Sequence, residues 1–274
     1  MKKILSIATW NLHYGIEMEE ILTSIESNKS FADIDILMLQ EASLHDKKED
    51  AQIIAERLGQ NYTYFQVTAQ KSNGFIQANA LIWNTEKIKI DTFDILEMPP
   101  FHSTSRLHMP YKKIFNKEHK IAIFLKSVFQ KRISLVLEGK IFHKSFRIYV
   151  VHFDLLGLAS KKKQMSFLLE DANRRKAVDI EIIAGDINTF KYFNLPHWNG
   201  IKKITEKEGF TDLTTDIEWT FSDSRFTNSY FAKHKLDAIF IRHIFDQSKL
   251  LYKSWSLDIP GSDHIPVFAN ITLP

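Results

Sequence analysis

Polar side chains that suit metal and phosphate chemistry stand at the ends of six short apolar runs. In chain order they are Asn11, Glu41, His152, Asp186, Asn188, Asp237, Asp263 and His264. If these ends meet at one edge of a sandwich of sheets, the side chains line a single cleft. Carboxylate and amide oxygens are ligands that Mg²⁺ and Mn²⁺ prefer, and the chain has no cysteine to attract softer metals. The pattern therefore predicts a hard-cation site.

Six short motifs contain these residues, and their order resembles the endonuclease/exonuclease/phosphatase superfamily, the metal-dependent phosphoesterases related to pancreatic deoxyribonuclease. They are TWNLHYG at 9–15, LQE at 39–41, VHFD at 151–154, GDIN at 185–188, LDAIF at 236–240 and SDHIPV at 262–267. Each motif alone occurs by chance in many proteins, so the ordered set carries the resemblance. The departures are modest: GDIN replaces the commoner GDFN, and Phe153 stands where Leu is more usual.

The resemblance implies a metal ligand set and a group that activates water. Glu41 matches the family's metal carboxylate, and Asn11 matches its amide companion. Asp263 is a further candidate ligand for Mg²⁺, for which Mn²⁺ is the expected substitute. Asp186 matches the aspartate that orients or deprotonates the attacking water. Asn188 matches the amide that steadies the nucleophile or a phosphate oxygen.

The resemblance also implies two phosphate-facing histidines. His264 matches the histidine that hydrogen-bonds the scissile phosphate, and Asp237 matches the carboxylate that pairs with it and favours its charged form. His152 matches a second position, which would stabilise the transition state or assist the leaving group. Arg132 resembles a basic residue that some members carry before the strand preceding His152.

Each of these residues has a structural explanation when it is taken alone. Asn11 could cap a turn, Glu41 could flank a helix, and Asp186 with Asn188 could form an Asx turn. None of these explanations accounts for the ordered set, so the functional interpretation is favoured. His13, Tyr14 and Asn79 are weaker candidates for the lining of the cleft. The basic run at 161–163 and the one at 174–176 are predicted to be the solvated side of a helix.

Apolar patterning predicts more strands than helices, without the strict alternation of a doubly wound parallel sheet. The strand-like runs are Ile4–Thr9, Ile34–Leu39, Tyr62–Val67, Ala80–Trp83, Ile133–Leu137, Phe146–Val151, Ile180–Ala184, Leu236–Ile241 and His264–Ile271. Helical periodicity covers Glu17–Ser27, His45–Leu58 and Lys161–Arg175. The expected fold is α+β, a four-layer α/β/β/α sandwich of two mixed β-sheets flanked by helices. We expect one domain over 1–274, with an irregular, functional segment at Thr85–Lys131.

Composition narrows the class of protein further. The absence of cysteine excludes disulfides, thiolate metal sites and a cysteine nucleophile. A net charge of +3 suits an anionic substrate but is too small for a protein that coats nucleic acid. Most of the 21 Phe are expected to fill the space between the sheets, as at Phe65, Phe124, Phe146, Phe153, Phe240 and Phe268. Those in predicted loops are candidates for substrate contacts: Phe101, Phe115, Phe190, Phe193, Phe226 and Phe231.

The favoured function is a Mg²⁺-dependent hydrolase that cleaves a phosphodiester, preferably of DNA or RNA, by direct attack of water. One alternative is a phospholipid or inositol-phosphate phosphoesterase at a membrane surface, kept open by the aromatic and basic segment at Pro99–Lys131. A second is an inactive binding scaffold of the same fold, since fold does not fix function. The apolar run at Ile4–Ala8 is too short for a secretion signal, and no run reaches the ~20 residues of a membrane span. We therefore expect a cytoplasmic monomer.

Overall fold

Two six-stranded sheets pack face to face, and helices cover their outer surfaces. The structure, a computed structural model, describes residues 3–72, 75–100, 131–155, 157–189, 197–222, 233–244 and 250–273. Two layers of strands between two layers of helices are the predicted α/β/β/α sandwich, so the predicted fold class is confirmed. No helix within those ranges has the length and apolar character needed to cross a membrane.

The strands are numbered in chain order. They are β1 Lys3–Asn11, β2 Ile36–Ala42, β3 Leu44–His45, β4 Lys48–Glu49, β5 Tyr62–Ser72, β6 Phe75–Asn84, β7 Ile88–Glu97, β8 Ile133–Ile141, β9 Lys144–His152, β10 Ile180–Asp186, β11 Thr211–Asp212, β12 Phe221–Ser222, β13 Lys233–His234, β14 Asp237–His243, β15 Leu251–Ser256 and β16 Val267–Leu273. The helices are α1 Met18–Ser27, α2 Lys29–Ala32, α3 Asp50–Leu58, α4 Leu158–Arg174 and α5 His197–Lys207, with a 3-10 turn at His13–Gly15.

The two sheets share one topology. The first has the order β15-β16-β1-β2-β6-β5, and the second has the order β11-β14-β10-β9-β8-β7. In each sheet a single parallel pair lies at the centre, β1 with β2 and β9 with β10, and the other pairs are antiparallel. Parallel strands end at the same edge of a sheet, so each central pair delivers two carboxyl-terminal ends to one place.

Alternation along the strands divides the core into layers. On β1, Leu5 and Ile7 face the second sheet, whereas Ala8 and Trp10 face the helices α1 and α3. The outer face of the second sheet packs on α4 and α5 in the same way. Phe146 is buried and Phe65 is half-buried between the two sheets, as predicted. The same prediction was wrong for Phe153, Phe240 and Phe268, which are buried in the outer layers against the helices because their side chains point to the outer faces of the sheets. Phe124 and the six loop phenylalanines lie outside the described residues.

The segment predicted to be irregular, Thr85–Lys131, contains the strand β7 in its described part. Among the described residues β7 pairs with β8 alone and forms one edge of the second sheet. Most of its side chains are exposed and lack the alternation that marks a half-buried strand. The predicted helix at His45–Leu58 begins only at Asp50, because β3 and β4 form a short hairpin before it. α5 and β15 were not predicted.

At Gly185, near the end of β10, the backbone of this strand lies very close to the backbone of β9. Its φ is +143°, and a Cβ built on it would overlap the carbonyl oxygen of Val151 on the neighbouring β9. Gly59 after α3 has a similar φ of +132° but nothing within 4 Å of a Cβ. The pair therefore separates the cost of backbone strain from the cost of a steric clash.

We expect Gly59→Ala to lower the free energy of unfolding by about 1–2 kcal/mol, which is the cost of the backbone conformation alone. Gly185→Ala should cost at least about 3 kcal/mol more, because β9 and β10 must separate to admit the methyl group. Urea unfolding followed by circular dichroism measures both. Equal losses in the two variants would contradict the close packing at Gly185.

Candidate active site

The eight predicted site residues come together where the two central parallel pairs end. Seven of them line a cleft of about 270 Å³, and Asp237 lies behind His264. The register accounts for this: Asp186 lies opposite His152 on one side and Asp237 on the other. Asn11 lies opposite Gln40 on β2, so that Glu41 follows one residue later. The packing of the sheets brings these two sets of ends to one cleft.

The carboxylate of Asp186 lies at the centre of a group of amide donors. Asn11 Nδ2 donates to Oδ2 at 3.1 Å, and Asn188 donates to Oδ1 from its backbone nitrogen at 2.8 Å and to Oδ2 from Nδ2 at 3.2 Å. Burial, reinforced by Asp237, raises the pKa of Asp186 to about 6, while His264 and the amide donors oppose the rise. Asp186 is therefore both firmly oriented and more basic than an exposed aspartate.

His264 is held as a cation by Asp237. Its Nδ1 donates to Asp237 Oδ2 at 2.8 Å, which leaves Nε2 facing the cleft, 4.0 Å from Asp186 Oδ2. Burial disfavours the charged ring, yet the neighbouring carboxylates, Asp237 first, raise the pKa of His264 to about 10. Trp10 Nε1 donates to the backbone carbonyl of His264 at 2.9 Å and fixes the loop. At neutral pH this group can donate a charge-assisted hydrogen bond to an anion.

His152 has the opposite protonation state. Arg132 Nη1 donates to His152 Nδ1 at 3.1 Å, and since a guanidinium cannot accept, Nδ1 must be the acceptor. Burial, with the positive charges of Arg132 and His264, keeps the pKa of His152 well below its usual value. The proton of the neutral ring is thus on Nε2, 3.5 Å from Asp186 Oδ2 and 3.6 Å from Glu41 Oε1. Asp154 Oδ1 lies 3.7 Å from Arg132 Nε and balances its buried charge.

Glu41 reaches the cleft because β2 is bulged at its end. The pairing of β2 with β6 shifts register between Leu39 and Ala42, and Glu41 has a φ of +50°. Gln77 Nε2 donates to Glu41 Oε1 at 3.2 Å. Burial raises the pKa of Glu41 to about 7, although Arg132 and His264 lower it. A buried carboxylate with so raised a pKa gains from a nearby cation.

The donor set fits a Mg²⁺ ion that keeps much of its water. Glu41 supplies a carboxylate, Asp263 lines the same cleft with a half-exposed carboxylate, and Asn11 has an amide oxygen that already accepts from the His13 backbone at 3.0 Å. Within the described residues no group of three or more His, Cys, Asp or Glu side chains converges as a closed metal cage. Mg²⁺ does not require one, since it binds through one or two carboxylates, water and substrate phosphate.

Backbone strain is concentrated at this cleft. Among the described residues other than glycine, those with positive φ include His13, Tyr14, Glu41 and Asn188, which all line the cleft. The remaining four lie in the two-residue turns of the β3–β4 and β8–β9 hairpins, where such angles are normal. Each such backbone conformation lowers the stability of the fold by about 1–3 kcal/mol, and strained conformations of this kind cluster at functional sites.

Two expectations about polar residues were wrong. Lys161 is not solvated: it is buried and donates from Nζ to the carbonyl oxygens of Leu155 and Asn188. Its position four residues before Met165, on the apolar face of α4, was the signal for this burial. Asn79 is not among the described lining residues. It joins the two sheets instead, donating to Ile133 O at 2.9 Å.

Sequence reasoning missed four further residues of the cleft region. Leu155, Phe221 and Leu236 line the cleft, and the ring of Phe221 packs edge-on against His264 with centroids 5.0 Å apart. Gln77 touches Glu41 without lining the cleft. The alternation of polar Gln77 with apolar neighbours on β6 was a usable signal for it, because an inward-facing amide needs a buried partner.

No family model and no curated protein matches the chain. Solved structures do match along its whole length. An endonuclease/exonuclease/phosphatase from Bacteroides vulgatus is 18% identical with a TM-score of 0.69, covering 100% of both chains. A mannosyl-6-phosphatase from Bacteroides thetaiotaomicron is 17% identical with a TM-score of 0.66, covering 98% of this chain and 100% of that one.

A third match is TDP2 of D. rerio in complex with a single-strand DNA product. It is 16% identical with a TM-score of 0.66, covering 98% of this chain and 99% of that one. Identities this low establish the architecture and leave the activity open. The resemblance read from the six motifs is thus confirmed in the fold. The chain has the fold of the endonuclease/exonuclease/phosphatase superfamily.

Proposed function

We propose that the protein is a divalent-metal-dependent phosphoesterase that hydrolyses a phosphodiester by direct attack of water. One observation carries this proposal: a charged histidine, a neutral histidine and two buried carboxylates share a single cleft of about 270 Å³. A binding scaffold would gain nothing from burying these groups, because each costs free energy unless it is paired. Catalysis of phosphoryl transfer uses all of them.

Each side chain has a role that follows from its protonation state. Asp186 orients the attacking water and takes its proton, for which a pKa of about 6 is better suited than that of an exposed aspartate. The water oxygen then forms a bond to phosphorus as the bond to the leaving oxygen breaks. Cationic His264 and the Nε2–H of His152 donate to phosphoryl oxygens, where negative charge accumulates. Asn188 keeps Asp186 in place.

Glu41 would hold the metal ion, with Asn11 and Asp263 as further oxygen donors. When bound, Mg²⁺ or Mn²⁺ neutralises charge on the phosphoryl group. The charge of Asp186 adds to the raised pKa of Glu41, so a cation at Glu41 would relieve the repulsion between these two carboxylates. The raised pKa of Glu41 is the physical reason to expect a cation at this carboxylate.

A nucleic acid is the favoured substrate. TDP2, one of the similar structures, was solved with a single-strand DNA product. The modest net charge of +3 suits a strand bound through a few phosphates rather than a long duplex track. The mannosyl-6-phosphatase is as similar as TDP2, with the same TM-score of 0.66, and this supports a phosphate monoester as a second candidate.

Removing the proposed base should abolish turnover without unfolding the protein. We expect Asp186→Asn to lower kcat at least roughly 10³-fold, because the amide cannot accept the proton of the water. Rates at fixed salt on a panel of substrates measure both activity and preference. The panel contains bis-(p-nitrophenyl) phosphate, single-stranded DNA, abasic-site DNA, RNA, a sugar phosphate, inositol phosphates and sphingomyelin. Asp216→Asn, at an exposed aspartate, is the matched control.

Retention of full activity by Asp186→Asn would refute this assignment of the base. Absence of turnover by the unmodified protein on every substrate of the panel, with each metal, would favour the binding scaffold instead. Preference for sphingomyelin or an inositol phosphate over all nucleic acids would refute the nucleic-acid substrate while keeping the phosphoesterase.

Metal binding should stabilise the fold through Glu41. An ion of Mn²⁺ or Mg²⁺ held by the proposed site would bind the native state and not the unfolded chain, so the melting temperature should rise with metal concentration. The expected rise is lost in Glu41→Gln, which removes the charge but keeps the shape, and is kept in Glu86→Gln, at an exposed glutamate. Differential scanning fluorimetry measures this. An equal rise in Glu41→Gln would place the metal elsewhere.

Asp237 should set the alkaline limit of activity. Asp237→Asn keeps a polar neighbour for His264 but removes the negative charge, so the pKa of His264 falls from about 10 towards its ordinary value. The protonated ring is the active form, so the variant should lose activity at a lower pH than the unmodified protein, by roughly 2 pH units or more. Profiles of kcat/KM from pH 5.5 to 10.5 measure this shift. A deficit that is constant with pH would contradict it.

A further inference from the structure

Tyr14 lines the cleft and belongs to a strained turn, and the proposed mechanism gives no role to this residue. It is half-buried, lines the cleft and has φ and ψ of +59° and +16° inside the 3-10 turn His13–Gly15. It is the one residue with a hydroxyl group among the described residues of the lining. Three successive residues of this turn have positive φ, two of which are not glycine. Such a conformation persists only where the surroundings impose it.

The half-buried His45 and the buried Asp50, which lie beneath the turn, impose this conformation. His45 Nε2 donates a hydrogen bond to the carbonyl oxygen of Tyr14 at 3.1 Å, and Asp50 Oδ1 lies 3.2 Å from the same nitrogen. Asp50 has a fully buried side chain and also accepts from the backbone nitrogen of Ser43 at 2.7 Å. The absence of a side chain at Gly15 makes space for these two groups, because a Cβ there would come within 2.5 Å of Asp50 Oδ2 and 2.9 Å of His45 Nε2.

The hydrogen bond from His45 also ties Tyr14 to the end of the strand that carries Glu41. His45 lies on the β3–β4 hairpin, which follows β2 directly, and the backbone nitrogen of Leu12 donates to Gln40 O at 2.8 Å. The turn and the bulged strand end therefore form one rigid unit. This unit presents a phenol and a carboxylate to the same cleft.

We propose that Tyr14 is a substrate-binding residue whose hydroxyl donates a hydrogen bond to a phosphoryl oxygen of the bound phosphoester, and that His45 and Asp50 are its positioning residues. The proposal rests on the proposed function of the same cleft. It assigns a role to the strained turn, which neither the metal site nor the attack of water requires.

The surroundings of the phenol favour a donor to an anion. Burial raises the pKa of Tyr14 well above its ordinary value, and the carboxylate of Glu41 adds to this, so the hydroxyl keeps its proton throughout the working range. The guanidinium of Arg132 is already directed at His152 and Asp154. A phosphoester that enters between Glu41 and Asp186 needs donors, and a hydroxyl supplies one without changing the charge of the site.

The test compares Tyr14→Phe, which removes the hydroxyl alone, with Tyr252→Phe, which removes one from an exposed tyrosine on β15. With bis-(p-nitrophenyl) phosphate and saturating Mn²⁺, Tyr14→Phe should lose roughly 10- to 100-fold in kcat/KM, mainly through KM. Inhibition by inorganic phosphate should weaken by a similar factor. The Mn²⁺ concentration for half-maximal activity should stay unchanged, and Tyr252→Phe should match the unmodified protein.

The positioning residues are tested through a double-mutant cycle. His45→Leu should reproduce part of the KM increase, and it should have little further effect when Tyr14 is already Phe. His45→Gln, whose amide nitrogen can reach the Tyr14 carbonyl, should restore most of the loss. Equal and additive effects of His45→Leu in both backgrounds would overturn the positioning role.

Two results would overturn the role of Tyr14 itself. One is a Tyr14→Phe variant with unchanged kinetics; the other is a variant that requires more Mn²⁺ but keeps its KM at saturating metal, which would assign the phenol to Glu41. If the unmodified protein turns over no substrate, the proposed function fails, and calorimetric titration with inorganic phosphate in Mn²⁺ then decides. Weaker phosphate binding by Tyr14→Phe supports the proposal, and equal or absent binding in both proteins overturns it.

Discussion

Two buried carboxylates, Glu41 and Asp186, must be held close together where the two sheets meet, and the rest of the cleft compensates for them. His152 Nε2 lies 3.6 Å from one and 3.5 Å from the other, so both point at the same small volume. Burial raises both pKa values first; the charge of Asp186 adds to the rise at Glu41, and the charge of Asp237 adds to the rise at Asp186. Buried charges are tolerated only when they are paired and hydrogen-bonded. Most polar contacts around the cleft serve that need.

The compensation uses cations of two kinds. His264 carries a positive charge because Asp237 accepts a hydrogen bond from its ring and stabilises the protonated form. Arg132 carries a permanent positive charge, which helps to keep His152 neutral. Two histidines a few ångströms from the same aspartate thus have opposite protonation states. Both rings are buried, and the partner that each Nδ1 faces distinguishes them: a carboxylate accepts from one, and a guanidinium donates to the other. This asymmetry gives the cleft one cationic donor and one neutral donor.

The topology supplies the meeting point. Each sheet has one central parallel pair, and the site residues Asn11, His152 and Asp186 end three of these four strands, with Glu41 one residue before the end of the fourth. Antiparallel neighbours alone would send successive strand ends to opposite edges. Close packing keeps the ends in place, as at Gly185, where β9 and β10 leave no room for a Cβ. The rigid turn beneath Tyr14 extends the same frame to the rim of the cleft.

The sequence by itself determined the layers, most strands and the identity of the polar residues at the strand ends. Alternation of period two and helical periodicity depend on local residue order, so they could be read without coordinates. The edge strand β7 was not predicted, because its side chains are mostly exposed and show no alternation. The start of α3 was predicted too early, because a hairpin forms from the residues before Asp50.

Only the tertiary structure decided the chemistry of each group. Whether a histidine is charged, whether Lys161 is solvated, and whether Asn79 faces the cleft or joins two sheets depend on partners 20 or more residues away in the chain. Protonation and burial are properties of surroundings built by distant segments. A motif names the residue that will stand at a strand end. The fold determines what that residue faces there.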